Sequence, residues 1–142
     1  MRELSKYVSM MYRYGQIFYD ETLHPYEIGC GQQFFLLRIH EQPGISQYGL
    51  AEKGYFDKGT TARAVKKLEE LGYITRKIDE QDHRITRLYV TEKGEPIISI
   101  IRTMLDDWHN ALMDGFSEEE KEMANSLLKR LGENASKTIG RR

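Results

Sequence analysis

Basic and hydroxyl side chains recur on one side of a segment that follows Asp57. They are Lys58, Thr60, Arg63, Lys66 and Lys67. The apolar residues of the same segment fall at spacings of three and four, so a helix would turn them inward and these polar side chains outward. Lysine, arginine and threonine bond phosphate oxygens, and lysine and arginine also bond guanine edges. The pattern therefore predicts contact with a nucleic acid.

A second charged group, Asp82-His83-Arg84, lies between two segments rich in β-branched and aromatic residues. Two such segments joined by a polar turn predict a β-hairpin. An arginine at its tip can enter a minor groove narrowed by A·T pairs, where negative potential is concentrated. Because an aspartate repels phosphate, we expect Asp82 to orient Arg84 or to brace the loop. The alternative is an ordinary aspartate-containing turn.

Ser46 and Arg87 complete the candidate nucleic-acid contacts. Ser46 is expected both to cap a helix and to bond phosphate, and Arg87 to bond the sugar-phosphate backbone. Arg63 is the best candidate for reading a base, because it lies near the N-terminal half of its helix. The equally weighted alternative is that Arg63 bonds phosphate alone.

Apolar periodicity and turn residues predict the elements that position these side chains. We expect helices at 4–22, 32–42, 47–53 and about 57–71, strands at 73–78 and 85–90, a long helix that Thr91 caps, and a last helix from the capping box at Ser117 to about Gly132, with a frayed tail after Asn134. This order predicts a mainly α fold with a small β-hairpin, namely a winged helix-turn-helix flanked by N- and C-terminal helices.

Charge is unevenly distributed along the 142 residues, although the net charge is only −1. Residues 58–93 carry nine basic and six acidic side chains, net +3, and the remainder carries net −4. A basic segment in an acidic frame is a modest electrostatic signature of nucleic-acid binding. Cys30 is the single cysteine, and no apolar run approaches the roughly 20 residues of a membrane span, so we expect a cytoplasmic protein with no membrane partner.

The terminal helices carry more apolar surface than the small central unit can cover. We infer that they pair with a second copy in a two-fold dimer. The alternative is a monomer with these helices folded back on its core. We expect one domain over 1–142, with the DNA-binding part at about 32–95 and dimerisation helices at about 1–22 and 96–138.

An ordered set of short motifs resembles the MarR (multiple antibiotic resistance regulator) family. They are Leu50-Ala51-Glu52, Asp57-Lys58-Gly59-Thr60, Arg63, Leu68-Glu69 with Gly72-Tyr73-Ile74, Asp82-His83-Arg84 and Val90-Thr91-Glu92-Lys93-Gly94. The resemblance implies an obligate homodimer with a recognition helix in each of two major grooves and a wing tip in each flanking minor groove. It also implies a ligand-responsive transcription factor, most often a repressor of a double-stranded DNA operator.

Three positions depart from the family pattern. Gly59 stands where the family usually has serine, and Ala62 where it often has threonine, so two hydroxyl contacts to DNA are missing. Gly54 stands where a buried leucine is common, which predicts a reshaped turn.

A small-molecule effector would bind where the first, second and long fifth helices meet. Its candidate contacts are Tyr7, Arg13, Tyr14, Phe18, Phe35, Arg38, Ile39 and Trp108, with Arg13, Arg38 or His40 as the anchor for an anionic aromatic compound. The alternative, which we favour for each residue taken singly, is plain dimer core.

Enzymatic chemistry finds no motif-level support, since the chain has no nucleophile elbow, P-loop or paired catalytic carboxylates at recognised spacings. Cys30 and the histidines show none of the tight spacings of zinc ligands, so we expect no metal and no cofactor. The alternative to a DNA-binding regulator is a winged helix used for protein–protein assembly without sequence-specific DNA binding.

Overall fold

The computed structural model describes residues 2–140, apart from the side chain of Cys30. Its elements are α1 (Glu3–Leu23), α2 (Cys30–Glu41), α3 (Gln47–Gly54), α4 (Lys58–Glu70), β1 (Ile74–Ile78), β2 (Thr86–Val90), α5 (Glu95–Leu112) and α6 (Glu118–Ile139), with a 3₁₀ turn at His24–Tyr26. The predicted mainly α fold with a small hairpin is confirmed. The chain divides into two compact units, one reaching to Trp108 and the other beginning at His109.

The core of the first unit lies among α2, α3, α4, the hairpin and the N-terminal part of α5. Most residues whose spacing predicts an inward position are buried, namely Phe35, Leu36, Ile39, Leu50, Ala51, Ala64, Val65, Leu68, Ile97, Ile101 and Met104. Leu71, also predicted inward, is only partly buried. Periodic apolar side chains on helices of this length face the core, because burying them removes apolar surface from water. This core fixes α3 and α4 against the hairpin.

Side-chain caps begin both helices of the helix-turn-helix. The Ser46 hydroxyl accepts a hydrogen bond from the Gly49 amide at 2.9 Å, and an Asp57 carboxylate oxygen accepts one from the Thr60 amide at 2.6 Å. Both caps satisfy amides that have no partner within the helix, as their residue types predict. The two helices therefore start at fixed points, which also fixes where the outward face of α4 begins.

At the turn between α3 and α4, Gly54 packs closely against two phenylalanine rings, and the predicted reshaping of this turn relative to the family stays a prediction. A Cβ at this position would lie 2.5 Å from the Phe56 ring and 2.6 Å from the Phe34 ring. Tyr55, the next residue, has a positive φ of 58°. The two phenylalanine rings, with centroids 5.3 Å apart, fill the space that a leucine side chain would need.

The hairpin is antiparallel, with Ile74 opposite Val90 and Ile78 opposite Thr86. Each strand starts one residue later than predicted. The expectation that Thr91 caps α5 is wrong, because the helix begins at Glu95. The Thr91 hydroxyl instead accepts from the Gly94 amide at 3.2 Å and so caps the turn that precedes the helix.

Four helices are longer than predicted: α1 by one residue at each end, α3 by one residue at its C-terminus, and α2 and α6 by more substantial changes. Helix α2 begins at Cys30 and not at Gln32, and the Gln32 side chain accepts from the Gly29 amide at 2.9 Å. Helix α6 continues through Gly132 to Ile139, so the predicted end and the frayed tail after Asn134 are wrong. One glycine costs a helix only about 1 kcal/mol, which the good helix formers around it offset.

The terminal helices each carry an exposed apolar face. Large apolar side chains are exposed on α1 at Leu4, Tyr7, Val8, Met11, Tyr14 and Ile17, and on α6 at Met123, Leu127, Leu128 and Leu131. The capping box that opens α6 is formed as predicted, with hydrogen bonds in both directions between Ser117 and Glu120. Within the described residues, no helix is long and apolar enough to cross a membrane.

Candidate nucleic-acid interface

Helix α4 presents its basic side chains to solvent. Lys58, Arg63, Lys66 and Lys67 are exposed, whereas Val65 and Leu68 on the opposite side are fully buried. Thr61 is also fully buried, and its hydroxyl donates to the Asp57 carbonyl oxygen at 3.0 Å. The predicted outward set therefore shares one accessible side of α4. A groove of about 360 Å³ runs along it, lined by Arg63, Lys66, Lys67, Glu70 and Leu71.

The Arg63 side chain folds back over Gly59 at the start of α4. A guanidinium nitrogen of Arg63 donates to the Thr60 hydroxyl at 3.3 Å, and that hydroxyl donates to Asp57 at 3.1 Å. A Cβ on residue 59 would lie 3.1 Å from another Arg63 nitrogen. Hydrogen bonds from Thr60, and then the charge of Arg63, hold the pKa of Asp57 below its usual value. Glycine at position 59 therefore lacks the hydroxyl that a serine would supply, but it leaves space for the Arg63 side chain.

At the hairpin tip, Asp82 holds Arg84 in a two-point contact. Arg84 Nε lies 3.0 Å from Asp82 Oδ1, and Nη2 lies 2.9 Å from Oδ2. The Arg84 side chain is 90% exposed. Its hydrogen bonds lower the pKa of Asp82. The predicted hydrogen bond between these two residues is therefore present, and the arginine is held outward with its charge in solvent.

Arg87, one residue pair from the tip loop of the hairpin, is bonded within the protein. Its Nε lies 2.7 Å from Asp79 Oδ2, and its Nη1 donates to the Gly44 carbonyl oxygen at 3.0 Å. The hydrogen bond from Arg87, together with those from amides of the tip loop, lowers the pKa of Asp79 to about 2. This carboxylate stays charged at neutral pH, so the ion pair is intact under ordinary conditions.

The α2–α3 connection pairs with β2 through an isolated β-bridge beside the two-stranded hairpin. The Gly44 amide donates to Leu88 at 2.8 Å, the Leu88 amide donates to Ile45 at 3.0 Å, and Ser46 forms a bridge with Arg87. A groove of about 580 Å³ lies beside this junction and includes Ser46, Lys53 and Arg87 in its lining. Sequence reasoning missed the role of Gly44, because its partner Arg87 is 43 residues away in sequence and leaves no periodic signal. It also missed Asp79, whose partner Arg87 lies eight residues away across the tip loop and fits no helical or strand period.

The residues predicted to bind an effector are not gathered around one cavity. Phe18 stacks on Trp108 with ring centroids 5.1 Å apart, so these two do meet. Phe35 and Ile39 are buried in the core. Tyr7, Arg13 and Tyr14 are exposed on α1, with Arg13 bonded to Ser9, and Arg38 pairs with Glu41 at 2.7 Å. His40 lies 3.5 Å from Glu95.

A cavity of about 300 Å³ lies beside Phe18, between α1 and α5. Its lining is Phe18, Thr22, Ser99, Ile100, Thr103, Met104 and Asp107. Asp107 is the charged member of this set, so the cavity carries negative rather than positive charge. Elsewhere, the described residues contain no group of three or more His, Cys, Asp or Glu side chains placed to hold a metal ion. The Cys30 side chain lies outside the described part.

Comparison with known proteins gives consistent matches. A family model described as the MarR family matches residues 31–86. The chain is 42% identical over 104 residues to the uncharacterized HTH-type transcriptional regulator YybA of Bacillus subtilis (strain 168), covering 73% of the chain and 69% of YybA. It is 34% identical over 116 residues to the HTH-type transcriptional regulator BilQ of Clostridium symbiosum (strain WAL-14163), covering 82% of the chain and 81% of BilQ.

A solved structure agrees with these sequence matches. The crystal structure of a MarR transcriptional regulator from Methanosarcina mazei Go1 superposes with a TM-score of 0.87 at 36% identity, over 97% of this chain and 99% of that one. The similarity therefore extends well beyond residues 31–86 and includes the terminal helices.

Proposed function

Because the chain belongs to the MarR family of DNA-binding, winged helix-turn-helix transcriptional regulators, and is not an enzyme, we propose that its DNA contacts come from helix α4, the Ser46 corner and the hairpin tip. The proposed contacts are Ser46, Lys58, Thr60, Arg63, Lys66, Lys67 and Arg84, with Asp82 orienting Arg84. Residues 32–95 form the DNA-binding part. In this assignment α4 is the recognition helix and the hairpin is the wing.

The observation that carries this proposal is the exposed, aspartate-held Arg84. Its guanidinium is fixed at the tip of a hairpin with its side chain 90% exposed. An arginine held outward in this way suits insertion into a narrow minor groove, since little ordering is left to occur on binding. The cations of α4 suit phosphates and base edges of the adjacent major groove.

We further propose that the protein works as a cytoplasmic homodimer. Support comes from the exposed apolar faces of α1 and α6, which a soluble monomer rarely leaves uncovered. Residues 1–22 and 96–138 are the dimerisation segments. Two copies would present their α4 helices to half-sites about one turn of DNA apart, ~34 Å.

The regulatory part of the proposal is repression relieved or tuned by a small aromatic effector. The cavity lined by Phe18, whose ring stacks on Trp108, is of a size that holds such a compound. The expected anionic effector needs a cation, but Arg13 and Arg38 bond elsewhere, and Asp107 lines the cavity. We therefore propose a neutral or cationic ring. Benzylamine should displace a labelled duplex at lower concentration than benzoate does, and Asp107→Asn should remove that preference.

Salt dependence of binding to a random-sequence duplex separates this function from the protein-assembly alternative. Contacts to phosphate release condensed cations, so the logarithm of affinity should fall steeply with the logarithm of salt concentration, by about 0.9 for each phosphate contact. Fluorescence anisotropy of a labelled duplex measures this slope. A steep slope that becomes shallower in Lys66→Ala supports DNA binding. Absence of binding at low salt would favour the assembly module.

A further inference from the structure

We infer that Asp79 and Arg87 are positioning residues. They hold the wing against the α2–α3 corner, the segment Gly44–Ser46, and so fix the position from which Arg84 contacts DNA. Arg87 is then not itself a DNA contact. This inference rests on the proposed DNA-binding function and assigns a different role to a residue that the sequence alone suggests for the sugar-phosphate backbone.

A continuous chain of hydrogen bonds connects the corner to the wing tip. The Gly44 carbonyl oxygen accepts from Arg87 at 3.0 Å, and Arg87 donates to Asp79 at 2.7 Å. Asp79 Oδ1 accepts from the Asp82 amide at 2.9 Å, and the Asp82 carboxylate in turn holds Arg84. Every link from the helix-turn-helix to the exposed arginine is therefore made by a charged side chain or a backbone group.

Asp79 uses both carboxylate oxygens for this purpose. Oδ2 faces Arg87, while Oδ1 accepts from the amides of Gln81 and Asp82, each at 2.9 Å. The Asp79 amide donates to the Ile85 carbonyl oxygen at 2.9 Å, which closes the tip loop. One side chain thus ties the loop to β2 and, through Arg87, to the corner.

The outer part of the hairpin needs such a tie, because Ile74 and Leu88 are buried in the core whereas residues 75–78 of β1 are exposed. Apart from β1 and β2, its backbone pairing is with the short segment at Gly44–Ser46. Arg87 lies on β2 opposite Lys77 and reaches the corner with its guanidinium. A tilt of the hairpin would carry Arg84 away from its groove, whereas the tie resists that tilt.

The two possible roles of Arg87, phosphate contact and positioning residue, predict opposite changes in DNA affinity for the same substitution, Asp79→Asn. If Arg87 contacted phosphate, Asp79 would compete with DNA for it, and Asp79→Asn would strengthen binding by freeing Arg87 and removing a negative charge. If Arg87 positions the wing, Asp79→Asn breaks the tie and weakens binding despite the gain in net positive charge. Charge repulsion alone cannot produce the second result.

The experiment compares Asp79→Asn with Glu80→Gln in the full chain, using anisotropy of a labelled A·T-rich duplex. Glu80 is the exposed neighbour in the same loop, so the control removes the same charge. We expect Asp79→Asn to weaken binding about tenfold, comparable to losing one charged hydrogen bond, and Glu80→Gln to leave it unchanged or slightly tighter. Binding by Asp79→Asn as tight as wild type or tighter would overturn the inference.

A double variant tests whether the tie acts through Arg84. In an Arg84→Ala background the further effect of Asp79→Asn should shrink toward zero, because residues that act through one another are not additive. A full, additive loss in that background would overturn the positioning role, since Asp79 would then act on other contacts.

The rate of amide hydrogen exchange in the free protein tests the contacts of Asp79 in the absence of DNA. Asp79→Ala, which removes both acceptor oxygens, should speed exchange at the amides of Gln81 and Asp82, whereas Glu80→Gln should not. Unchanged exchange at both amides would overturn the inference even if binding weakened. If wild type bound no DNA, the proposed function would fail, and this exchange result would still report separately on the tie.

Discussion

Both carboxylate oxygens of Asp82 hold the Arg84 guanidinium, with Arg84 Nε 3.0 Å from Oδ1 and Nη2 2.9 Å from Oδ2. The Arg84 amide also donates to Oδ1 at 3.1 Å, so the side chain and the backbone are fixed by the same group. An exposed ion pair contributes little to folding stability. Its value is in orientation, because it presents the arginine to solvent in a restricted geometry.

Arg84→Ala should weaken binding to an A·T-rich duplex by at least about tenfold, as expected for the loss of a charge-assisted contact. The thermal midpoint should not change, because Arg84 is exposed and touches no core residue. His83→Ala is the matched control on the neighbouring exposed residue and should bind nearly as wild type does. Wild-type affinity in the Arg84 variant, measured by anisotropy, would remove the wing from the interface.

Gly59→Ala should raise stability and lower DNA affinity at once. Alanine in the first turn of α4 stabilises a helix relative to glycine by roughly 0.5–1 kcal/mol, so the thermal midpoint should rise by a few degrees. Its Cβ would come within 3.1 Å of Arg63 and displace the guanidinium. In an Arg63→Ala background the loss of affinity should disappear. An increase in stability with unchanged affinity would show that the position of Arg63 does not matter.

Gly54→Leu should destabilise the protein. A Cβ would lie 2.5 Å from the Phe56 ring and 2.6 Å from the Phe34 ring, and overpacking of this kind costs about 1–3 kcal/mol. Urea unfolding measures the change. Adding Phe56→Ala should recover part of the loss by opening the space. If Gly54→Leu alone proved stabilising, the account of this turn would be wrong.

Leu127→Glu should convert the proposed dimer to monomers and weaken DNA binding, because it places a charge on the exposed apolar face of α6. Sedimentation velocity distinguishes the two states. Asn125→Glu adds the same charge on a different side of the helix and should remain dimeric. A wild-type protein that sediments as a monomer at micromolar concentration would contradict the proposed assembly.

Local signals predicted the capped starts of α3, α4 and α6 and most of the core, but not the starts of α2 and α5. Ser46, Asp57 and Ser117 cap helices because a short oxygen-bearing side chain satisfies free amides close to it in sequence. The predicted end of α6 at about Gly132 is wrong, because the helix formers around this glycine offset its cost and the helix continues to Ile139. Capping and periodicity depend on neighbours within a few residues, which the sequence displays directly.

Long-range contacts could not be predicted in the same way. Arg87 reaches the Gly44 carbonyl oxygen, which is 43 residues away in sequence, and no pattern of residue types marks that partner. Phe35 and Ile39 are candidates for an effector site from the sequence, with plain core as the favoured alternative for each, and both are buried in the core. The same apolar periodicity places a side chain inward whether it meets a cavity or another side chain, so packing alone decides between them.

Sequence-specific DNA recognition by a dimer is tested most directly by selecting binding sites. The full chain is mixed with a pool of random duplexes, and the bound fraction is sequenced. We expect the bound fraction to be enriched in an inverted repeat whose half-site centres lie about 10–10.5 base pairs apart. A·T-rich segments, where the wings insert, should flank it. The Arg63→Ala and Arg84→Ala variants should enrich it less. A bound fraction with no enriched sequence would contradict sequence-specific, dimeric DNA recognition.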